Sequence, residues 1–470
     1  MSAIAAIFQV ILLIFAVVMS FNVIIFVHEL GHFLAAKWRG LRIDRFQIWF
    51  GTPIWKKEIN GVQYGLGWIP AGGFVALPQM APMEALEGGS KDDKPLPPIT
   101  PLDKIIVAFA GPLFSMLLAL VSAVFVWQIG KPADFIATTQ VGFLIPDSPA
   151  QKAGLLIGDK IIAINGVKVT GFAGSLDSVT ENIVLSRGKE ISYTVEREGA
   201  SEPITLRSGF ETEKTQWFQR GGLRQVGIMP AGNAIVGKVS PNSPAADAGI
   251  TAGDKILSVD GFKLYSLQQF SQYLRDQKWK TVRLGLQTAA GGTRDVEVTP
   301  ERPLKPSGFD PMVGIQWGDG GEVDNRIVHP GPIRQVTDSL KMMWTTITSV
   351  MASDSSIGVG HLSGPVGIGK LQFQLLQMDD GWRRILAFMV LFNVNLAVLN
   401  MMPFPVLDGG HITLAVLEKI FGRPVKAKPL EILQTLCALA LISLMLFVTS
   451  KDIGDSFGRA KEKNEEIVFP

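Results

Sequence analysis

The residues of this sequence with the clearest chemical potential are His28, Glu29 and His32, in the short segment HELGH. On a helix, positions four apart lie on one face, so both imidazoles can bind the same metal ion with Glu29 beside it. This spacing suits zinc, and it places Glu29 to take a proton from a water at the metal. The chain has only five histidines, so two of them framing a glutamate at this spacing are not expected by chance. The alternative is a helix whose His and Glu side chains serve only as capping or hydrogen-bonding groups.

A catalytic zinc site needs a third protein ligand and an open position for water. The single cysteine, Cys437, lies in an apolar run, which excludes a cysteine metal cluster and an intrachain disulfide. We expect Asp408 to be the third ligand, because the apolar run NMMPFPVLDGGH brings its carboxylate to membrane depth. The two prolines before Asp408 break the helix, and the two glycines after it let the backbone turn. A plain turn residue at 408 is the alternative, and the remaining candidate ligands are His329, His361 and His411.

Apolar segments must position these residues. The chain is 47% hydrophobic but also 18% charged, which indicates a protein partly in the membrane and partly in water. Its net charge of +2 gives no sign of a nucleic-acid partner. The first apolar stretch differs from a secretory signal peptide, because it lacks a basic N-terminal region and runs into HELGH instead of a cleavage site. We therefore expect it to stay in the protein as a membrane span. Four uncharged stretches are long enough to cross the membrane as helices: 3–27, 105–130, 385–407 and 432–450.

The distribution of Lys and Arg predicts the orientation of these spans. Basic residues are concentrated at 37–57, after the first span, and at 419–428, between the third and fourth spans. Both segments are therefore expected on the cytoplasmic side, with the metal site toward that side and both termini outside. Arg383, Arg384 and the charged tail from Lys451 count against this orientation.

The stretch between the second and third spans contains an internal repeat. SPAQKAGLLIGDKIIAINGVKV, from Ser148, recurs as SPAADAGITAGDKILSVDGFKL, from Ser243, at an offset of 95 positions. Each copy predicts a short helix, a Gly-Asp turn, an apolar strand and a hairpin turn. The pattern resembles bacterial PDZ domains, and that resemblance implies binding of peptide termini by strand addition near Gly227 and Gly314. The alternative is a pair of modules that only space or shield the membrane part.

The segment 40–77 is rich in aromatic residues and punctuated by glycines. We predict a membrane-associated β-hairpin packed on the catalytic helices, since a strand at membrane depth needs protein or water to satisfy its backbone. An interfacial loop with aromatic anchors is the alternative.

HELGH in the first span, together with NxxPxPxLDGG from Asn400 to Gly410, resembles the paired signature of the site-2 protease family of intramembrane zinc metalloproteases, in its bacterial RseP-type form. Further matches are Gly111-Pro112, Pro70-Ala71-Gly72-Gly73, Gly364-Pro365 and the tandem repeat. The family often has an Asn shortly after the Gly-Pro of the second span. Here Ser115 stands in that region, which puts the role of that Asn in doubt.

The resemblance implies regulated intramembrane proteolysis in the bacterial inner membrane. The expected partners are membrane lipid and single-span membrane proteins, such as an anti-sigma factor already cut by another protease, or remnant signal peptides. The residues expected to contact the unwound substrate are Asn395, Asn400, Gly72 and Gly73. For the two asparagines, the alternative is hydrogen bonding between helices.

The predicted fold class is a polytopic α-helical membrane protein with four transmembrane helices, a membrane-associated β-hairpin region and two α+β PDZ domains. An alternative function is a non-catalytic scaffold that presents the PDZ modules, with zinc purely structural; a zinc or ion transporter is a third. The expected division of the chain is 1–39 first span, 40–77 hairpin region, 78–104 linker, 105–130 second span, 135–231 and 232–318 PDZ domains, 325–380 amphipathic helical region, 385–410 third span, 411–429 cytoplasmic loop, 430–450 fourth span and 451–470 tail.

Overall fold

A computed structural model describes residues 3–80, 99–305, 310–318, 323–422, 427–457 and 469. The chain separates into two compact units. The first unit consists of Met1–Pro132, Ile327–Ile347 and Leu362–Ile453, and the second of Ala133–Arg326, Thr348–His361 and Gly454–Pro470. Most of the linker predicted at 78–104 and most of the tail predicted at 451–470 lie outside the described residues.

Helices occur in both units and account for most of the first unit. They are α1 (Ala3–Arg39), α2 (Pro101–Ile129), α3 (Pro149–Lys152), α4 (Val179–Leu185), α5 (Pro244–Asp247), α6 (Leu267–Asp276), α7 (Pro332–Met351), α8 (Pro365–Gln377), α9 (Gly381–Asn400), α10 (Asp408–Phe421) and α11 (Ala427–Phe457). Within the described ranges, α1, α2, α9 and α11 are long and apolar enough to cross a membrane, and each overlaps one of the four predicted spans. Apolar side chains such as Ile11 and Phe15 of α1 are exposed, as a lipid-facing surface requires.

The third span is shorter than predicted. We expected it to run to 410, but α9 ends at Asn400 and a separate helix, α10, begins at Asp408 in front of the predicted loop 411–429. Prolines at 403 and 405 lack the N–H that a continuing helix needs, so the chain turns there. The turn is tight, because a Cβ on Gly409 or Gly410 would overlap main-chain carbonyls of the 401–404 segment. Asp408 is thus the first residue of a helix instead of the last residue of a span.

The segment predicted as a hairpin forms a four-stranded sheet. Its strands are β1 (Arg45–Phe50), β2 (Trp55–Ile59), β3 (Val62–Leu66) and β4 (Ile69–Ala76), in the order β2-β3-β1-β4. Only β2 and β3 form a hairpin, through Asn60 and Gly61, which both have the positive φ that such turns need. The hairpin prediction was therefore too simple, because β1 pairs in parallel with β3 and antiparallel with β4. No other strand of the described chain pairs with the outer edge of β4.

Helix α2 is the centre of the first unit and packs against α1, α9 and α10. A capping box of Thr100 and Asp103 begins α2, and the Asp103 carboxylate also binds Arg39 at 2.6 Å, which holds the end of α1 to the start of α2. The helices approach closely, since a Cβ on Gly31 would overlap the carbonyl of Ala110. Strand β4 packs on α1, and two short strands, β5 (Lys131–Pro132) and β20 (Ile327–Val328), pair with each other.

The second unit contains two modules with separate cores. The first module has strands β6 (Val141–Leu144), β7 (Lys160–Ile164), β8 (Val167–Lys168), β9 (Ile191–Glu196), β10 (Ile204–Ser208), β11 (Glu211–Thr212), β12 (Arg224–Gln225) and β13 (Ile228–Pro230). The second has β14 (Ala234–Val239), β15 (Lys255–Val259), β16 (Phe262–Lys263), β17 (Val282–Gln287), β18 (Thr293–Val298) and β19 (Ile315–Trp317).

The repeat in the sequence is also a repeat in structure. Ser148 and Ser243 each cap a four-residue helix, α3 or α5, by accepting a hydrogen bond from a backbone N–H three residues later. The next strand of each copy, β7 or β15, begins at the equivalent lysine and leads to an Asn-Gly or Asp-Gly turn of positive φ. Equivalent residues therefore perform equivalent local roles in both modules.

Candidate metal centre

The two histidines of HELGH face each other within one turn of α1. Their Nε2 atoms lie 3.3 Å apart, with the ring planes nearly perpendicular. His28 is buried, and both side chains lie in the wall of one cavity of the first unit. The helical spacing therefore brings the two imidazoles together on one face of α1, as the sequence predicts.

Asp408, almost 400 residues further along the chain, reaches the same point. One carboxylate oxygen lies 3.3 Å from Nε2 of His28, and the other lies 3.4 Å from Nε2 of His32. Because Asp408 is the first residue of α10, the tight turn after α9 fixes the direction of its side chain. His28, His32 and Asp408 form a cluster whose ligand atoms all lie within 4.8 Å of one another.

These separations fit a zinc ion. Zinc binds His nitrogen and carboxylate oxygen at about 2.0–2.2 Å, so the edges of a regular tetrahedron of such ligands measure about 3.3–3.6 Å. The two Nε2 atoms are separated by 3.3 Å, within that range, and each of them has one Asp408 oxygen at 3.3 or 3.4 Å, a different oxygen for each histidine. Oδ2 of Asp408 is buried and accepts no hydrogen bond of good geometry from the described residues, which leaves it available to a cation.

The other nitrogen of each imidazole is held by α2. Nδ1 of His32 lies 2.8 Å from the carbonyl oxygen of Val107, which can only accept, so Nδ1 carries the proton and Nε2 presents its lone pair to the cluster. Nδ1 of His28 lies 3.0 Å from the hydroxyl of Ser115. Ser115, which the sequence analysis noted only as a departure from the family pattern, thus orients a candidate ligand.

Gly111 makes room for the two imidazoles. It lies on α2 between Val107 and Ser115, and a Cβ at this position would overlap Nε2 of His32 and lie 2.9 Å from Cε1 of His28. A helix normally disfavours glycine by about 1 kcal/mol relative to alanine. Here the missing side chain is what allows α2 to pass directly behind the site.

We expect Gly111→Ala to lower both zinc content and proteolysis, the latter by about 100-fold, because an added methyl must displace His32 and a misplacement of about 1 Å can cost that much in rate. Metal analysis and the cleavage rate of the purified variant measure both effects. Gly369→Ala is the matched control, since its Cβ would meet only Cγ1 of Val17, at 4.0 Å. If the two alanine variants were equally active, the absence of a side chain at Gly111 would not be required for proteolysis.

The cavity at the cluster brings together α1, α2, β4 and the region around α9 and α10. Glu29 lines it beside the three candidate ligands. Gly73 of β4 lies against Glu29, because a Cβ on Gly73 would be 3.4 Å from its Cγ. Nε1 of Trp49 in β1 donates a hydrogen bond to Oδ1 of Asn22 in α1, which anchors the sheet to the helix that carries the histidines.

Most residues singled out from the sequence meet at this cavity. Gly72, Gly73 and Asn400 line it with Glu29 and the cluster. Asn395 is not among its lining residues, and its Oδ1 is buried without a hydrogen-bond donor in the described part of the chain. His411 also lines the cavity, whereas His329 and His361 hydrogen-bond to the main-chain carbonyls of Trp127 and Gly221, respectively. His411 was predicted only as a candidate metal ligand.

Two histidines and a carboxylate around a glutamate, in a cavity among apolar helices, define a membrane metallopeptidase. Residues 15–444 match the model of peptidase family M50, and the chain belongs to this family. It is 28% identical to the regulator of sigma-E protease RseP of Escherichia coli, over 91% of this chain and 95% of that protein. It is 27% identical to a protein of Neisseria meningitidis named as a zinc metalloprotease, over 92% of this chain and 96% of that protein.

Among solved structures, the PDZ domain of an SdrC-like protein from Listeria monocytogenes matches 21% of this chain and 98% of its own, with 26% identity and a TM-score of 0.17. The family match and the two relatives establish a zinc metalloprotease, and the four apolar helices make it a multi-pass membrane protein.

Proposed function

We propose that this protein cleaves single-span membrane proteins within the membrane, with His28, His32 and Asp408 as the zinc ligands and Glu29 as the catalytic base. One observation carries this proposal. The three ligands and Glu29 line the same cavity, and apolar membrane helices contribute to its walls. Ionisable groups are costly in such a place and are retained there for function.

The proton transfers are assigned to Glu29. Zinc bound at the cluster would supply Lewis acidity, which lowers the pKa of a water and polarises the scissile carbonyl. Glu29 accepts the proton of that water and passes it to the leaving amine, as a base that lines the same cavity as the three ligands can do. Val107 and Ser115 hold the imidazoles in place throughout, because their hydrogen bonds use the nitrogens that face away from the cluster.

The substrate is proposed to bind as an extended strand along β4. A transmembrane helix hides its amides, so it must unwind before cleavage, and its freed backbone groups then need new partners. The outer edge of β4 offers such partners next to the cavity, at Gly72 and Gly73. Asn400 lies in the same cavity wall, and its amide can bind a freed substrate carbonyl or N–H. We assign Asn395 to the same path, with its Oδ1, which has no hydrogen-bond donor among the described residues, as the acceptor.

The resemblance to site-2 proteases favours an anti-sigma factor, already trimmed by another protease, or a remnant signal peptide as substrate. We place the metal centre toward the cytoplasmic side of a bacterial inner membrane and the two modules, proposed as PDZ domains, on the outer side. In this position the modules would act as a filter that excludes substrates with bulky outer domains.

Reconstitution in liposomes tests the proposal. We expect the purified protein to cut some members of a panel of single-span peptides at a bond inside the membrane segment, as located by mass spectrometry. Removal of zinc with a chelator should abolish cleavage, and added zinc should restore it. Cleavage only outside the membrane segment, or cleavage that persists without metal, would refute the assignment.

A further inference from the structure

Phe469 is the one residue of 458–470 that the structure describes, and it is buried. Its side chain is 3% exposed, which is unusual for an aromatic residue so far from the last helix of the chain. Cε2 of its ring lies 3.0 Å from the position that a Cβ on Gly314 would occupy, in the second module. The tail thus contributes an apolar side chain to the surface of that module.

Gly314 belongs to the part of the second module that is best suited to hold a peptide. It immediately precedes β19 and lines a groove between β19 and α6. The walls of this groove are apolar, and they include Phe270, Leu274, Trp279, Ile315 and Trp317. A groove between a strand and a helix accepts an extended peptide whose apolar side chains fill its pockets.

The first module provides an internal comparison. Gly227 and Gly314 share a φ of 80°, and a Cβ on either would overlap the capping serine of its own module, Ser148 or Ser243. The third neighbour differs: it is Ile145 of the same module for Gly227, but Phe469 of the tail for Gly314. The two copies have kept the same local geometry, while the tail contacts the second.

The path of the chain allows this contact. The modules follow the second span and the tail follows the fourth, so two crossings separate them and both lie on the same side of the membrane. The last turn of α11 already contacts the first module, where the N–H of Arg220 donates to Oδ1 of Asp455 at 3.0 Å. From Phe457, the twelve residues to Phe469 can reach about 40 Å when extended.

We propose that the second module binds the tail of its own chain, with Phe469 as the anchor of the apolar segment Ile467-Val468-Phe469-Pro470. The ligand class is an apolar peptide segment that follows an acidic stretch, here Glu465-Glu466. A tail bound in this way competes with any other apolar peptide for the second module and leaves the first module open. The inference does not depend on the roles assigned to the metal centre.

A binding experiment on the detergent-solubilised protein tests this proposal. The probe is a fluorescent peptide of residues 461–470, added to the full chain and to a chain that stops after Glu466. We expect saturable binding to the shortened chain and at least tenfold weaker apparent binding to the full chain, whose site is already occupied. A peptide with Phe469→Ala should bind the shortened chain at least tenfold more weakly, whereas Lys463→Ala should bind like the natural sequence.

Amide hydrogen exchange shows where the tail binds. Exchange at 311–317 should be faster in the shortened chain than in the full chain, while exchange at the equivalent segment of the first module, 224–230, should not change. Equal binding of the peptide to both chains, or equal binding of the Phe469→Ala and natural peptides, would overturn the proposal. So would exchange that changes equally in both modules.

Discussion

Replacing Glu29 with Gln should leave about one zinc per chain and lower the cleavage rate by about 100- to 10,000-fold, the range expected when a general base is removed. Gln has nearly the shape of Glu, so the cavity and its contact with Gly73 remain, but its amide cannot accept the proton of the attacking water. Glu29 is not one of the three clustered ligands, and the zinc content should therefore be preserved. Metal analysis together with the cleavage rate in liposomes separates these two effects.

Glu58→Gln is the matched control, because it makes the same change in the exposed strand β2. Its rate should equal that of the natural protein. Substantial proteolysis by the Glu29→Gln variant would show that another group moves the proton, and His411, in the wall of the same cavity, would be the next residue to test.

Replacing Asp408 with Ala should weaken zinc binding by at least about 100-fold and abolish proteolysis. Even the outer partners of metal ligands are worth about 10- to 100-fold in affinity, and Asp408 is itself one of three proposed ligands. Alanine supplies no donor atom, and the two histidines alone leave half of a tetrahedral site unfilled. Titration of the purified variant with zinc measures the loss.

Asp338→Ala serves as the control, since Asp338 is exposed on α7 and forms a loose ion pair with Arg334, at 3.6 Å. It should bind zinc like the natural protein. Circular dichroism of both variants checks that the helices are intact. An Asp408→Ala protein with its full zinc content would remove Asp408 from the ligand set.

Local patterns in the sequence predicted the parts of the site that depend on helix geometry. The four-residue spacing of His28 and His32 determines which way their rings point once the segment is helical. Asp408 could be predicted because a carboxylate at the end of an apolar run has few other uses. The repeat was visible because turns require particular residues, such as the Asn-Gly and Asp-Gly pairs, wherever the module occurs.

The parts that were missed depend on contacts between distant segments. The parallel pairing of β1 with β3 produces no periodic pattern in the sequence, so a hairpin was predicted where the structure has a four-stranded sheet. The role of Ser115 follows only from the packing of α2 behind α1, and a serine in an apolar span does not by itself indicate a histidine partner. Helix α10 was hidden because prolines end one helix without indicating how soon another begins.

The position of the three proposed ligands has a consequence for stability as well as for catalysis. Two of them belong to α1 and the third to the start of α10, with most of the second unit between them in the chain. An ion that holds all three is a cross-link, and in the unfolded chain it would have to close a very long loop. Its binding free energy is therefore added to that of folding, and resistance to unfolding rises with free zinc. The zinc ion that activates the water would then also stabilise the fold by linking α1 to the start of α10.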